Sequence, residues 1–283
     1  MALDDERSDM SITNQATTRA SDLERALGDI RTSRPAALRV LQMADDPHTD
    51  ARHLAEAIEF DPILTAHLLR LANSAAFGMS QRIATTQHAV SLVGFDAVRS
   101  IAALLASGLR NHKTPAPAGF WEHSAATAAA CAVVSSRFGI SRGEAFSIGL
   151  LHDLGAAVLH SVDPAAHASL SGGQEDTAAQ CGLEMLEFGM SHAEAAARVL
   201  RDWSFPISFV EAIEAHHDVT IAASPQAQVI LAGDALAHLV IEPSLVVGQG
   251  TDHLSSLGIN EESIPALTEL IAEYSAEVFA TLP

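Results

Sequence analysis

The sequence predicts an all-α fold, and three observations lead to that prediction. Hydrophobic residues make up 48% of the 283 positions but aromatic residues only 5%, and alanine and leucine fill most of the apolar positions. Apolar residues recur every three or four positions along most of the chain, as the buried face of a helix requires. No segment shows a convincing alternation of the kind that marks a half-buried strand. Packed helices are therefore expected rather than a sheet sandwich.

Acidic caps and prolines mark the helix boundaries in the first half of the chain. Asp61-Pro62 combines an N-cap carboxylate with proline at the first helical position, and Thr49 or Asp50 can cap the helix before it. Residues 1 to 20 are rich in Asp, Ser and Thr and predict a flexible tail. The helices expected after this tail begin near Leu23, Pro35, Asp50, Pro62, Thr86 and Phe95.

A linker divides the chain between Asn111 and Gly119, where two prolines and a glycine occur close together. It separates an N-terminal helical lobe (21–112) from a second helical lobe (117–242), which a C-terminal helical extension (252–283) follows. Two capping boxes, Ser141 with Glu144 and Ser191 with Glu194, each open a helix of the second lobe. The other helices expected here are Phe120 to about Phe138, Ile207 to Asp218, Val229 to Val240 and Pro265 to Leu282.

Charge and cysteine content exclude several classes of protein. The formal net charge of −19 argues against a nucleic-acid groove, which needs clustered Lys and Arg, and against adhesion to an anionic membrane. Cys131 and Cys181 are too few for a disulfide framework. No apolar run is judged long enough to span a membrane, and the acidic, polar N-terminus is unlike a signal peptide. The expected compartment is the cytoplasm.

The most informative stretch is Gly149–Gly155, in which His152 and Asp153 lie side by side within an apolar run. Leucine and valine recur around the pair at helical spacing, which predicts that both residues lie on a largely buried helix. Burying an unpartnered carboxylate costs several kcal/mol, so a cation is expected nearby. That cation is either a metal ion or a protonated histidine or arginine.

Further candidate ligands occur in the same half of the chain, with one or two in each predicted helix. Imidazole and carboxylate together suit Mn, Fe, Zn or hydrated Mg, so one or two divalent ions could be held between the helices. Each residue also has a simpler interpretation. His216 and His217 cannot share one helix face, so at least one of them could be solvated, and Asp234 could pair with an arginine. The complete candidate set is His123, His152, Asp153, His192, His216, His217 and Asp234.

The spacing of His123, His152-Asp153 and Asp234 resembles the HD superfamily of metal-dependent phosphohydrolases. His192 and His216-His217 are similar to the additional ligands of its two-metal branch, the HD-GYP phosphodiesterases. From about Leu23 to Leu257 the chain looks most like the HDOD family, the HD-related output domain. The stretches that carry this resemblance are Glu59–Leu64, Leu68–Ala75, Ala89–Gly94, Phe120–Ser124, Gly149–Gly155, Ser191–Glu194, Trp203–Pro206 and His216-His217.

This resemblance implies a two-lobed helical fold, a signalling role in bacteria and no settled enzymatic activity. The chain departs from hydrolytic relatives in two ways. Ala156 stands where they commonly have a lysine, and there is no Gly-Tyr-Pro tripeptide, since the single tyrosine is Tyr274. A missing lysine removes the obvious cation for a phosphate oxygen.

Three interpretations follow. In the first, the chain is a regulatory module that acts through a signalling protein partner in trans, with or without a metal in the HD-like pocket, and it could form a homodimer. In the second, it is a metal-dependent phosphohydrolase or phosphodiesterase whose ligand is a nucleotide or cyclic dinucleotide. In the third, the histidines only hydrogen-bond to Asp153 and Asp234, as a relic of a metal site.

Overall fold

In the part of the chain that the structure describes, every helix and turn fits the all-α prediction and no strand occurs. The structure is a computed structural model. The described residues are 16–28, 35–44, 46–74, 77, 83–107, 116–170, 177–218, 224–242 and 252–282. Residues 1–15 of the predicted tail and residues 111–115 of the predicted linker lie outside these ranges.

The helices are numbered in chain order, and short 3₁₀ turns occupy Ser135–Arg137 and Glu261–Ser263. They are α1 (residues 16–28), α2 (Pro35–Ala44), α3 (Ala51–Ile58), α4 (Pro62–Ala72), α5 (Thr86–Val93), α6 (Phe95–Ser107), α7 (Phe120–Val134), α8 (Arg142–Leu151), α9 (Leu154–Val162), α10 (Pro164–Leu170), α11 (Thr177–Phe188), α12 (His192–Asp202), α13 (Ile207–Glu214), α14 (Pro225–Ile241), α15 (Asp252–Ser256) and α16 (Ile264–Thr281).

Helices α2 to α6 pack together as the N-terminal lobe, and their predicted caps are present. The Asp50 side chain accepts a hydrogen bond from the His53 backbone N–H, and Asp61 accepts from Ile63 and Leu64. Each contact satisfies an amide that the first helical turn leaves without a partner. The apolar faces of these helices then meet in a core that excludes water.

The second lobe is organised around α7, which packs against α8, α14 and α16. Its buried face is mostly alanine, so neighbouring helices approach closely. Gly149 on α8 allows one such approach, because a Cβ there would lie 2.5 Å from the Thr127 carbonyl oxygen. Gly155 on α9 allows another, because a Cβ there would lie 2.7 Å from the Ala196 nitrogen of α12. The close packing brings the helices that carry the candidate ligands together.

Two arginines of the N-terminal lobe make polar contacts with the rest of the chain. Arg99 of α6 is buried, donates hydrogen bonds to the carbonyl oxygens of Trp203 (3.1 Å) and Ser204, and lies 4.1 Å from the centre of the Phe205 ring. Its cation therefore lies at the C-terminal, partially negative end of α12. At the other side, Arg70 of α4 donates to the Ala280 carbonyl oxygen at 2.7 Å, near the end of α16.

Helix α1 differs from its prediction in two ways. It begins at residue 16, inside the segment expected to be a flexible tail. It also contacts the second lobe, since Arg19 donates to Asp163 at 2.8 Å and Glu24 pairs with Arg198 at 2.5 Å. These charged partners lie more than 140 residues away along the chain, which no local pattern can reveal.

One stretch corrects the expectation that no apolar run reaches the length of a membrane span. Among the described helices, Arg142–Val162, which is α8 and α9 taken together, has 21 residues and is long and apolar enough to cross a membrane. Helices α5 and α6 pass it only as a pair bent by 108°. However, 72% of the most apolar 18-residue stretch of Arg142–Val162 is buried inside the fold, as is typical of core helices.

Candidate metal centre

All seven predicted ligands meet in the second lobe, although they come from widely separated parts of the sequence. His123 lies on α7, His152 and Asp153 lie between α8 and α9, and His192 opens α12. His216 and His217 follow α13, and Asp234 lies on α14. The structure therefore brings the whole candidate set together at one place.

The His152-Asp153 pair occupies a break between two helices, not the continuous helix that the leucine spacing predicts. His152 is the C-cap of α8, and Asp153 is the N-cap of α9 with a non-helical ψ of 12°. The Asp153 side chain does not cap the helix itself. Its carboxylate lies at the N-terminal, partially positive end of α9, which favours the ionised form.

The predicted capping box at the start of α12 positions His192. The Ser191 hydroxyl accepts from the Glu194 amide at 3.2 Å, and the Glu194 carboxylate accepts from the Ser191 amide at 2.9 Å. Since His192 is the first residue after the cap, this box fixes where its side chain leaves the helix.

Both residues of the His216-His217 pair reach the site, which corrects the expectation that one of them could be solvated. That expectation assumed a helix through residue 218, but α13 ends at Glu214 and both histidines lie in the turn that follows. His216 is buried, and the centres of the two rings are 3.8 Å apart. In a turn, adjacent side chains are free of the 100° separation that a helix imposes.

Three of the seven residues form a first cluster: His123, His152 and Asp234. Their candidate ligand atoms all lie within 4.8 Å of one another. His123 Nε2 is 3.1 Å from His152 Nε2 and 3.2 Å from Asp234 Oδ1, and His152 Nε2 is 3.8 Å from the same oxygen.

A second cluster consists of Asp153, His192, His216 and His217, whose candidate ligand atoms also lie within 4.8 Å of one another. His192 Nε2 is 2.8 Å from His217 Nε2. Asp153 Oδ1 is 3.6 Å from His192 Nε2 and 3.5 Å from His216 Nε2.

Asp153 connects the two clusters through its two carboxylate oxygens. Whereas Oδ1 faces His192 and His216, Oδ2 lies 3.5 Å from His123 Nε2 and 3.4 Å from His152 Nε2. One carboxylate therefore presents one oxygen to each group of imidazoles. This is the arrangement needed for a carboxylate that bridges two metal ions.

Backbone contacts outside the clusters orient two of the histidines. His152 Nδ1 donates to the Gly149 carbonyl oxygen at 2.8 Å, and His216 Nδ1 donates to the Ile213 carbonyl oxygen at 2.6 Å. An imidazole that donates from Nδ1 and is neutral has a lone pair on Nε2, and both Nε2 atoms point into the site. Such outer contacts are characteristic of metal-binding histidines.

The clusters also contain two buried ligand atoms that lack a well-aligned hydrogen-bond partner. In the part of the chain that the structure describes, His216 Nε2 and Asp234 Oδ1 are buried and have no hydrogen-bond partner. An unsatisfied buried polar group costs about 1–3 kcal/mol. Both atoms are electron-pair donors, so a divalent ion would satisfy them. The residues present therefore fit a metal ion.

The surroundings of four of the seven residues favour their ligand-competent protonation states, whereas contacts with carboxylates outweigh burial and raise the pKa of His123 and His192. Burial lowers the pKa of His152 to about 4 and that of His217 to about 2, so both rings are neutral at pH 7. Burial alone would raise the pKa of Asp153 and Asp234, but the surrounding histidines outweigh it and hold both well below the usual value. Ionised carboxylates and neutral imidazoles are the forms that bind metal.

The chain matches a known domain family. The HDOD domain family matches residues 31–219, which is most of the chain and includes six of the seven candidate ligands. The chain belongs to the HDOD family. Asp234 lies beyond the matched segment, so the structure is what brings this residue to the others.

Three relatives illustrate the range of proteins that this HDOD chain resembles. It is 24% identical over 214 residues to an uncharacterized protein of Treponema pallidum, a match that covers 74% of the chain and 42% of that protein. A Shewanella amazonensis structure, provisionally described as a phosphohydrolase, has 22% identity and a TM-score of 0.69, with 93% and 98% of the two chains covered. At that identity the likeness shows the fold alone. The MmoQ response regulator of Methylococcus capsulatus has 27% identity and a TM-score of 0.50, with 85% and 98% covered.

Sequence reasoning missed Glu184, which supports the second cluster of this HDOD domain from outside. Its carboxylate is fully buried on α11, where Oε2 accepts from the His192 backbone N–H at 2.8 Å and lies 2.6 Å from His192 Nδ1. Burial lowers the pKa of His192, but Cys181 and Glu184 outweigh it and raise that pKa well above its usual value. An acidic residue eight positions before His192, on a helix that also carries Gln180 and Glu187, was the only signal in the sequence.

Sequence reasoning also missed His238, at the solvent edge of the first cluster. It lies four residues after Asp234 on α14, and its Nε2 is 3.6 Å from Asp234 Oδ1. The i, i+4 spacing from an aspartate on a buried helix could have identified it, because residues so spaced lie on the same helix face.

Proposed function

We propose that this HDOD protein is a signalling module that acts through a protein partner, and that its second lobe holds two divalent metal ions. The observation that carries the metal assignment is Asp153, whose two oxygens face two separate groups of imidazoles. His123, His152 and Asp234 would hold one ion, and His192, His216 and His217 the other. The mixed imidazole and carboxylate set suits Mn, Fe or Zn.

The regulatory assignment is supported by what surrounds the clusters. Ala156, one turn beyond Asp153, offers no charge, and three of the four arginines between residues 117 and 242 bind elsewhere. The partners of these three are the Gly258 carbonyl for Arg137, Glu24 for Arg198 and Glu214 for Arg201. A phosphoryl group would therefore find little protein charge to stabilise its transition state. The likeness to a response regulator, at 27% identity, supports the same assignment.

A second candidate function is phosphoester hydrolysis, and one observation favours it. The side chains of His123, Asp153 and Asp234 remain 18%, 21% and 17% exposed, so one edge of the two clusters is open to a small ligand. Two bound ions would supply a clamp for a phosphoryl group and would acidify a water. The chain's own contribution would be to orient the ligands, with His152 and His216 held by backbone carbonyls.

Metal analysis separates these functions from the relic interpretation. Full-length protein purified without chelator should contain close to two transition-metal ions per chain, and Asp153→Asn should contain far less. The matched control is Glu211→Gln, which changes an exposed carboxylate on α13 outside both clusters. A wild-type protein that takes up no Mn, Fe or Zn, even on addition, contradicts the metal centre.

A hydrolysis screen and a capture experiment then separate the module from the enzyme. Mn-loaded protein is assayed with nucleotides, cyclic dinucleotides and a chromogenic phosphodiester. We expect no turnover above that of Asp153→Asn, and rapid turnover would favour the hydrolase. In parallel, cross-linked partners of the metal-loaded chain are compared with those of Asp153→Asn and Glu211→Gln. A partner retained by wild type and Glu211→Gln, but lost with Asp153→Asn, supports signalling coupled to the metal.

A further inference from the structure

Helix α4 of the N-terminal lobe has apolar residues on the side that faces solvent. Three of its four leucines are buried in the core, whereas Pro62, Ile63 and Ala66 are exposed, Ile63 by 45%. Because successive helix residues are rotated by about 100°, these three positions lie within one face of the helix. A helix that is hydrophobic on all sides is usually buried on all sides. The exposed side of α4 is therefore suited to contact another molecule.

The turn before α4 extends this apolar surface. Phe60 lies in that turn and is 83% exposed, more than any other large hydrophobic residue that the structure describes. Burying an aromatic ring removes a large apolar area from water, so a ring this exposed favours an interface. Together, Phe60, Pro62, Ile63 and Ala66 are called the α4 face.

The two ends of the α4 face carry opposite charges. Glu59 is exposed in the turn at the N-terminal end, and Arg70 is exposed in the last turn of the helix. The contact of Arg70 with the Ala280 carbonyl oxygen uses one of the five N–H groups of the guanidinium. The exposed helix positions before Arg70 carry no charge. The surface therefore runs from an acidic end, across apolar residues, to a basic end.

We propose that the α4 face binds the same face of a second copy of this chain, with the two α4 helices antiparallel. The twofold axis then passes near Ala66, whose small side chain lets the helices approach closely. Glu59 of each copy lies at the end of α4 where Arg70 of the other copy is found, so each ion pair forms twice, as an isologous interface requires. This inference goes beyond the proposed function and does not depend on the metal centre.

Charge is the reason for choosing a second copy as the occupant. At a net charge of −19, two copies of the chain repel each other over most of their surfaces. The α4 face replaces this repulsion with two attractions between opposite charges. Helix α11 also exposes Leu183 and Leu186, but it carries no basic residue that could pair with an acidic neighbour.

The size of the surface sets the expected affinity. A stable interface buries roughly 800 Å² on each partner. One short helix and its preceding turn cover less than this, so the dimer should be reversible. Full-length wild type should be mostly monomeric at about 1 µM and mostly dimeric at about 100 µM, which corresponds to a dissociation constant of roughly 10 µM.

Sedimentation velocity over this concentration range tests the proposal, with EDTA present to remove association through bound metal. Phe60→Ser should raise the dissociation constant at least about tenfold, as expected for an aromatic residue of an interface. The matched control is Leu186→Ser, which removes an exposed apolar side chain from α11 in the other lobe and should leave the dissociation constant unchanged. Circular dichroism verifies that each variant is folded.

Exchanging the charges tests the antiparallel arrangement. Glu59→Lys alone should weaken the dimer, because it places a positive charge near Arg70 of the other copy. Combining Glu59→Lys with Arg70→Glu should recover affinity relative to Glu59→Lys alone, which damage to the fold would not produce.

Three outcomes would contradict the proposal. A wild type that stays monomeric at about 100 µM shows that a second copy does not bind the α4 face, which is then left to a different protein. A dimer that survives Phe60→Ser but dissociates with Leu186→Ser is formed through α11. A folded double variant that dimerises no better than Glu59→Lys excludes the antiparallel charge pairing.

Discussion

In the proposed metal centre, replacing Asp153 with asparagine should abolish most of the stabilisation that metal confers. An ion that binds only the folded state at 100 times its dissociation constant stabilises it by about 2.7 kcal/mol. Two independent ions would contribute about 5.4 kcal/mol. For a chain of this size, 1 kcal/mol corresponds to roughly 2 °C in Tm, so wild type should gain about 10 °C.

Asp153 lies against both clusters, with separations of 3.4–3.6 Å to four imidazoles. Its replacement should therefore reduce the gain for both ions, whereas His217→Gln should spare the first ion and retain about half of the gain, roughly 5 °C. The assay is thermal unfolding by circular dichroism, for each variant in chelator and in saturating Mn²⁺. For each variant, the difference in Tm between these two conditions measures the effect of the metal separately from any effect of the substitution on the apo protein.

Two results would refute this reasoning. If Asp153→Asn keeps the full wild-type gain, the carboxylate does not bridge metal ions. If the gain in wild type persists after both clusters are disrupted by combining Asp153→Asn with His217→Gln, the ions bind elsewhere on this acidic chain. Glu211→Gln should behave as wild type and controls for the loss of one negative charge.

Three further predictions follow from the same contacts. Glu184→Gln should weaken binding of the second ion by roughly 10–100-fold and leave binding of the first ion unchanged, because it removes the carboxylate that orients His192. Equilibrium titration with Co²⁺, followed by its visible spectrum, measures this affinity, and Glu184→Asp should recover part of the loss. Gly155→Ala should lower the free energy of unfolding by about 1–3 kcal/mol, because its new Cβ would lie 1.9 Å from the His192 carbonyl oxygen and 2.7 Å from the Ala196 nitrogen, and must push α9 and α12 apart. Urea unfolding measures this change, and Gly182→Ala, where nothing lies within 4 Å, should not destabilise the protein. In chelator, the apo protein should lose stability as the pH falls from about 6.5 to 4, because the folded pKa of His152 is about 4 and the unfolded chain takes up the proton first. His152→Gln should show a shallower fall in Tm over that range, and equal slopes for the two proteins would contradict the burial of a neutral imidazole.

Much of the helical fold could be predicted from the sequence because local rules decide it. The caps at Asp50, Asp61 and Ser191 are each satisfied within one turn of the residue itself. Such contacts involve neighbours along the chain, so sequence spacing is enough to find them. The final helix, expected at Pro265 to Leu282, is found at Ile264–Thr281, with Pro265 in its first turn.

Predictions that extended a periodic pattern through a break were wrong. The leucine spacing around His152 and Asp153 continues on both sides of the pair, yet the helix is interrupted between Leu151 and Leu154. The helix expected through residue 218 ends at Glu214. In both cases the break turns adjacent side chains toward the site, and hydrophobic periodicity carries no information about such a turn.

The chain's sequence alone determined the composition of the candidate site: which imidazoles and carboxylates are available, that they lie in the second lobe, and that they match the HDOD family. Only the tertiary structure decided how they are arranged, with Asp153 between two clusters, Glu184 behind His192 and His238 at the solvent edge. The physical reason is that these relations depend on how closely whole helices pack. That packing is set by contacts such as Gly155 against Ala196, between residues that are far apart in the chain.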